Sequence, residues 1–352
     1  MDLNNLILFF FLVIFGLFFY KYFLIFLNKF NIKLFIDDEF NKPQAFHEVP
    51  VSTCGGMGIF ISFLILCLYL FLSKQMIYYE YLSFCTLFFI LGLLDDLKLN
   101  LRPKLRLILM VAFLVFLAIS NKFYIEKTGI VFLNSFLEID IFALFFVCLC
   151  FLFIINGSNL IDGYNGLLGI HALIILINLF LVNYFGGNSD LAFLIFSVIL
   201  ILTVFLKYNF PKAKVFLGDS GSYLLGSIIA ISAIKTSIAN PSISPFYFCI
   251  LLFYLFFEVF FSFIRKIIFE KRSPLFSDNK HLHMLVYKHL LKKNRNKLKS
   301  NYSVAVILNL VYLIMIMPPI FMMKSGMFCK YYSILLFVTY LFSYKKIYEK
   351  NK

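Results

Sequence analysis

Asp95 and Asp96 stand side by side behind an apolar run that closes on Gly92-Leu93-Leu94. A helix ending there turns the negative end of its dipole toward both carboxylates. Two unit charges about 4 Å apart also repel by roughly 4 kcal/mol at an effective dielectric near 20. A cation is needed beside them, and Lys98, Arg102 or Mg²⁺ could supply it. Metal ligation or general-base chemistry is then the functional reading, against a plain solvated turn. Asn156, Asn159 and Asp162 recur every third residue among Gly157, Gly163 and Gly166, a spacing that groups them on one side of a helix. Their oxygens suit a hard cation such as Mg²⁺, their amide N–H groups a phosphate or a sugar hydroxyl; helix capping is the plainer alternative. In the stretch from Asn209 to Ser222, Lys212 and Lys214 precede Gly218-Asp219-Ser220-Gly221 at the start of another apolar run. Helix N-termini favour anions, and glycine lets a phosphate approach the backbone. Asp219 is either an acidic ligand there or simply an N-cap. His281 and His283 point together on an extended segment and apart on a helix; phosphate contact suits them better than zinc, for which Cys partners are missing, and a solvated pair is the plainer alternative.

The elements that must carry these groups are membrane helices. The chain has 352 residues, is 62% hydrophobic with 49 Phe, and only 14% of its residues are charged; its mean hydropathy is +0.92. That is too apolar for a soluble domain. Runs long enough to span a bilayer lie at 3–27, 55–72, 79–94, 105–120, 139–155, 167–184, 190–206, 220–238, 246–264, 302–323 and 329–344. The expected fold is therefore all-α: a single multi-pass domain over 1–352 with about 10–11 transmembrane helices and its site at the cytoplasmic face. The 121–138 connection is expected to hold a small hairpin around Val131–Leu133, and the 265–301 loop a short amphipathic helix from Leu282 to Leu298.

The net charge of +14 is distributed along the membrane normal, which argues against a nucleic-acid partner. With the N-terminus outside and the C-terminus in the cytoplasm, the inner connections and tail hold 25 of the 32 Lys and Arg, as the positive-inside rule requires. The first run is long enough to remain as a span, with no basic segment before it to mark a cleaved leader. Seven Cys lie in or beside apolar runs without metal-ligand spacing, so neither disulfides nor a zinc site are expected. Abundant Phe, Ile, Lys and Asn with no Trp point to an AT-rich bacterial genome; a bacterial inner membrane is the expected location, with a eukaryotic endoplasmic reticulum the lesser alternative.

These constellations, in this order and topology, resemble the polyprenyl-phosphate N-acetylhexosamine-1-phosphate transferases. That membrane family includes GlcNAc-1-phosphate transferases and the phospho-MurNAc-pentapeptide translocase. The matching stretches run from His47 with Gly55–Gly56, through Asp95–Asp96, Asn156 to Gly166 and Asn209 to Ser222, to His281–His283. The resemblance implies transfer of HexNAc-1-phosphate from a UDP-N-acetylhexosamine to polyprenyl phosphate with release of UMP, dependent on Mg²⁺ or Mn²⁺, at the bilayer surface, and it leaves room for a homodimer. It further implies that Asp95 and Asp96 are the acidic pair that deprotonates the lipid phosphate or binds metal. Asn156 and Asp219 match the magnesium site, Asn159, Asp162, Asn165 and Asn209 the nucleotide-sugar contacts, and His281 and His283 the diphosphate contacts, with His47 among the substrate-binding positions. Departures are Thr53, Asn165, Glu258, Asn279 and Met284 at positions where many relatives carry other residues. The missing marks of the peptidoglycan-precursor enzyme favour a plain UDP-HexNAc. The rival classes are a transporter or flippase of a lipid-linked intermediate, whose site would lie near mid-membrane, and a non-catalytic envelope scaffold.

Overall fold

The computed structural model describes residues 3–30, 32, 35–38, 50–99, 101–125, 127–274 and 278–351; His47 lies outside them. Helices α1 (Leu3–Lys29), α2 (Gly55–Lys74), α3 (Tyr79–Asp96), α4 (Pro103–Ser120), α5 (Val131–Leu137), α6 (Asp140–Ile161) and α7 (Leu167–Phe185) are followed by α8 (Ser189–Asn209), α9 (Gly218–Ala239), α10 (Pro245–Leu251), α11 (Phe253–Ile264), α12 (Leu282–Asn294), α13 (Lys297–Phe321) and α14 (Gly326–Asn351). Among the described residues, nine helices are long and apolar enough to cross a membrane alone, and α10–α11 continues into a five-residue π turn at Arg265–Phe269 as a tenth, bent span. α3, expected as a span, holds two Asp and a Glu and lies outside those nine.

α9 is the most buried of the spans. It packs against α3 and α6 and is rich in small residues, from Ser220 and Gly221 to Ser232 and Thr236. Small residues let helix backbones approach, and their hydroxyls bond across the contact. Tyr81 and Ser232 share a hydrogen bond at 2.9 Å, and Lys235 pairs with Glu80 at 2.7 Å. α3 and α9 are thus held at the end away from Asp96 by one ion pair.

Three expectations change. Residues 131–133 begin a helix, not a hairpin, because Asn134 Oδ1 accepts both the backbone N–H and the hydroxyl of Thr128 and closes a turn ahead of α5. The 246–264 run is broken by 74° at Leu252; Tyr312 donates to the Leu251 carbonyl at the break, as an interrupted helix in apolar surroundings requires. The amphipathic helix stops at Asn294, where Arg295 takes a left-handed conformation, and Leu298 belongs to α13. A small sheet adds to the all-α frame: β1 (Ile36–Asp37) pairs antiparallel with β2 (Val51–Ser52), and Ser52 bridges in parallel to Val215.

Candidate active site

Asp96 settles one of the two carboxylates at the end of α3. Its Oδ1 accepts the backbone N–H of Asp219 at 2.8 Å and its Oδ2 that of Ser220 at 3.0 Å. It therefore caps α9 from another helix, satisfying two of the unpaired donors that every helix N-terminus carries. The partial positive charge of the α9 N-terminus faces the negative C-terminus of α3. The approach is close: a side chain at Gly92 would meet the Asp219 carbonyl at 2.4 Å, and one at Gly56 the Gly221 nitrogen at 2.3 Å. Gly55 and Gly56 also donate backbone N–H to Phe216 and Leu217 at 2.9 and 2.8 Å, so the paired glycines seat α2 against the α9 entry.

The cation expected beside Asp95 is neither Lys98, which pairs with Asp38 at 3.3 Å, nor Arg102 in any described ion pair. It is Arg106 of α4, whose Nη1 donates to Asp95 Oδ2 at 2.8 Å and lies 3.6 Å from Asp219 Oδ2. The sequence signal was present, an Arg set into an apolar run, but it reads as one more basic charge near a membrane edge. Asp219 is not an N-cap: its Oδ1 accepts from Asn159 Nδ2 at 2.7 Å, and the same amide group donates to Ser222 at 3.0 Å. Four separate helices thus place Asp95, Asp96, Arg106, Asn159 and Asp219 in one bonded cluster.

Asn156 and Asn159 share the last turns of α6, but Asp162 follows the helix as its C-cap residue. Burial, then the charges of Asp219 and Asp96, hold the Asp162 carboxyl well above the usual range. Asp96, beyond the apolar run of α3, is pushed up to about 7 by burial and by Asp219. Raised carboxyls at a polar end of a membrane protein mark a site poised for positive charge. Among the described residues no three His, Cys, Asp or Glu side chains form a ready metal cluster. Mg²⁺ needs few protein ligands and keeps several waters. The donors present, Asp219 with Asp162 and the amide oxygen of Asn156 (whose Nδ2 is spent on the Leu152 carbonyl at 2.8 Å), are hard oxygens that fit such an ion.

Asn165 and Asn209 are buried and tie loops together. Asn209 Oδ1 accepts from Gly166 N at 2.7 Å and its Nδ2 donates to Val215 O at 2.9 Å. Asn165 donates from its backbone to Asn301 Oδ1 and from its side chain to Pro211 O, both at 2.9 Å. The positive φ of Gly166, +80°, is what lets this loop turn into α7. His281 and His283 stack with rings 5.5 Å apart and 3° from parallel, both buried. His281 lies 3.3 Å from Glu258 and 3.4 Å from Asp278. His283 Nδ1 reaches Tyr254 at 3.4 Å, and its Nε2 is a buried atom with no hydrogen-bond partner among the described residues. Burial pushes the His283 imidazole down to about 3. Tyr164 stands edge-on to His283, 5.8 Å away, and so links this group to the 162–166 loop. Glu258, 1% exposed, also accepts from the Leu282 backbone at 2.9 Å and from Tyr340 of α14; nothing in an apolar run foretold that carboxylate's partners.

Fold and site together define a polytopic membrane protein with a carboxylate- and amide-rich centre at one end of its helix bundle. Residues 78–237 match the family model described as glycosyl transferase family 4. Over 243 residues the chain is 32% identical to the undecaprenyl-phosphate alpha-N-acetylglucosaminyl 1-phosphate transferase of Thermotoga maritima, covering 67% of this chain and 68% of the relative. Phospho-N-acetylmuramoyl-pentapeptide-transferases are also similar. That of Prochlorococcus marinus is 30% identical, covering 54% of this chain and 57% of its own, and that of Francisella tularensis 35%, covering 59% and 65%. The alignments thus span less than two thirds of these two translocase relatives. The chain belongs to glycosyl transferase family 4, which makes it an enzyme and sets aside the transporter and the scaffold.

Proposed function

We propose that this protein transfers N-acetylhexosamine 1-phosphate from a UDP-sugar to polyprenyl phosphate, releasing UMP at the cytoplasmic face of a bacterial inner membrane. The observation that carries the reading is the continuous bonding of Asp95, Asp96, Arg106, Asn159 and Asp219 at one membrane edge, where a lipid-borne and a soluble reactant can meet. An oxygen of the lipid phosphate attacks the phosphorus that bears the sugar. The bond to the uridine-side phosphate breaks, and UMP leaves with those electrons. Phosphoryl transfer asks the protein mainly for alignment and charge neutralisation. Mg²⁺, held by Asp219 with Asn156 and Asp162, would supply positive charge to the diphosphate.

The acidic pair then acts chiefly by placement. Asp96 is committed to the α9 backbone and Asp95 to Arg106. A phosphate monoester has its second pKa near 6, so the nucleophile is already ionised at pH 7 and needs no strong base. Lys212 and Lys214 ahead of α9 add the positive field that draws an anionic sugar nucleotide to this face. Asn159 orients Asp219, and the His281–His283 segment approaches the same loops through Tyr164. The test is release of UMP by purified protein given one defined polyprenyl phosphate and a panel of UDP-N-acetylhexosamines, with Mg²⁺, with Mn²⁺ and with chelator. Release with one or more of the sugars, abolished by chelator, is expected; no release with any of them would end this reading.

A further inference from the structure

We infer that Arg106, tethered to Asp95, is a built-in counter-ion for the cation site, ion-paired with Asp219 when no divalent ion is present and drawn off Asp219, still held by Asp95, when one enters. This rests on the reading of Asp219 as a metal ligand. The guanidinium is tethered at 2.8 Å to Asp95 Oδ2, and the same Nη1 lies 3.6 Å from Asp219 Oδ2. The two contacts are unequal: the first is a full charge-assisted hydrogen bond, the second an ion pair beyond hydrogen-bond length. Asp219 Oδ1 accepts from Asn159, and Oδ2 is the oxygen turned to Arg106, where an incoming ion would compete with the guanidinium. Asp95, by contrast, is only 11% exposed at its side chain, and holds the guanidinium at the rim of the site during the exchange.

Charge explains why such a device is needed. Asp95 and Asp96 at the end of α3 and Asp162 just after α6 gather with Asp219 at the start of α9. Arg106 is the cation that the described ion pairs place against this group. A guanidinium cannot lose its charge near neutral pH. It must move away from Asp219 or repel the metal, and the 2.8 Å anchor on Asp95 keeps it beside the site as it does so.

The experiment measures metal binding directly. Mn²⁺ titrations of detergent-solubilised protein, followed by electron paramagnetic resonance, are run on wild type, Arg106→Gln and Arg106→Lys, with no sugar nucleotide present. Thermal unfolding is recorded for each with Mg²⁺ and with chelator. Arg106→Gln is expected to bind Mn²⁺ about tenfold more tightly and to show a wider melting-temperature gap between Mg²⁺ and chelator, because the metal-free form has lost its counter-ion. Arg106→Lys, which keeps the charge but not the planar fork, is expected between the two. Unchanged or weaker Mn²⁺ binding in Arg106→Gln beside a wild type that binds would overturn the counter-ion role and leave the metal assignment standing. A wild type that binds no Mn²⁺ overturns both. If Arg106→Gln does not fold without metal but does with it, the counter-ion role is supported; if it folds in neither, Arg106→Lys decides by the same titration.

Discussion

At the residue scale, Asp96 and Asp219 look interchangeable in a sequence and do different work. Asp219→Asn keeps an oxygen for Asn159 Nδ2 and loses the negative charge together with its 3.6 Å pairing to Arg106. Its turnover should fall at least about 100-fold, the scale of losing one well-placed electrostatic group, with a melting temperature close to wild type. Asp96→Asn presents an NH₂ to one of the two backbone donors it now satisfies. An unpaired buried N–H costs about 1–3 kcal/mol, so this variant should lose both turnover and several degrees of melting temperature. Equal thermal stability of the two variants would show that the cap is not what Asp96 provides. His283 gives a pH-dependent counterpart. Its folded-state pKa is pushed down to about 3 from 6.5, so the unfolded chain takes up a proton that the folded one refuses. The stabilising effect is complete above pH 6.5 and is lost as pH falls toward 3, amounting to about 2 kcal/mol by pH 5. Melting curves from pH 7.5 to 5 should fall accordingly, and His283→Gln should flatten that fall.

At the element scale, the site depends on how near α3 comes to α9. Gly92 faces the Asp219–Ser220 backbone, and an added Cβ would stand 2.4 Å from it. Backbone cannot yield as a flexible side chain does, so Gly92→Ala must push the helices apart. A shift near 1 Å costs about 100-fold when it falls on reacting geometry. Turnover in Gly92→Ala should drop by about that factor with membrane insertion intact, while Gly326→Ala, whose nearest neighbour is 3.8 Å away, should match wild type; kinetics on the two purified variants compares them. The helices themselves were legible, because runs of apolar residues bounded by Asp, Asn or Gly have few other readings. So were the Asp, Asn and His positions, which stand out against hydrocarbon. What the sequence hid is pairing between distant elements: Asp96 capping α9 across 123 residues, Arg106 reaching Asp219 from within an apolar run, and Glu258 joined to His281 and Tyr340. The spacing of Asn156, Asn159 and Asp162 suggested one helical face, and the helix ended one residue too soon for it. The break at Leu252 has no proline or glycine to announce it.

At the scale of the whole molecule, the site network and the charge asymmetry must agree about one membrane face. α14 closes that argument: Tyr344 donates to the Lys280 carbonyl at 2.9 Å and Asn351 to the Leu285 carbonyl at 2.8 Å. The end of the last helix, with Lys345, Lys346 and Lys350, is therefore fixed to the same end of the bundle as the His segment. The Glu80–Lys235 pair marks the other end. Basic residues stay on the cytoplasmic side during insertion, so the proposed function requires the acidic cluster to share that side with the sugar nucleotide. A fluorescent protein that folds only in the cytoplasm, fused after Lys352, should therefore glow. Alkaline phosphatase, active only once exported, should be active when inserted between Lys324 and Gly326, in the connection from α13 to α14. The reverse pattern would place Asp95, Asp96 and Asp219 outside, beyond reach of a UDP-sugar, and the transfer reaction would have to be abandoned although every contact within the cluster remained as described.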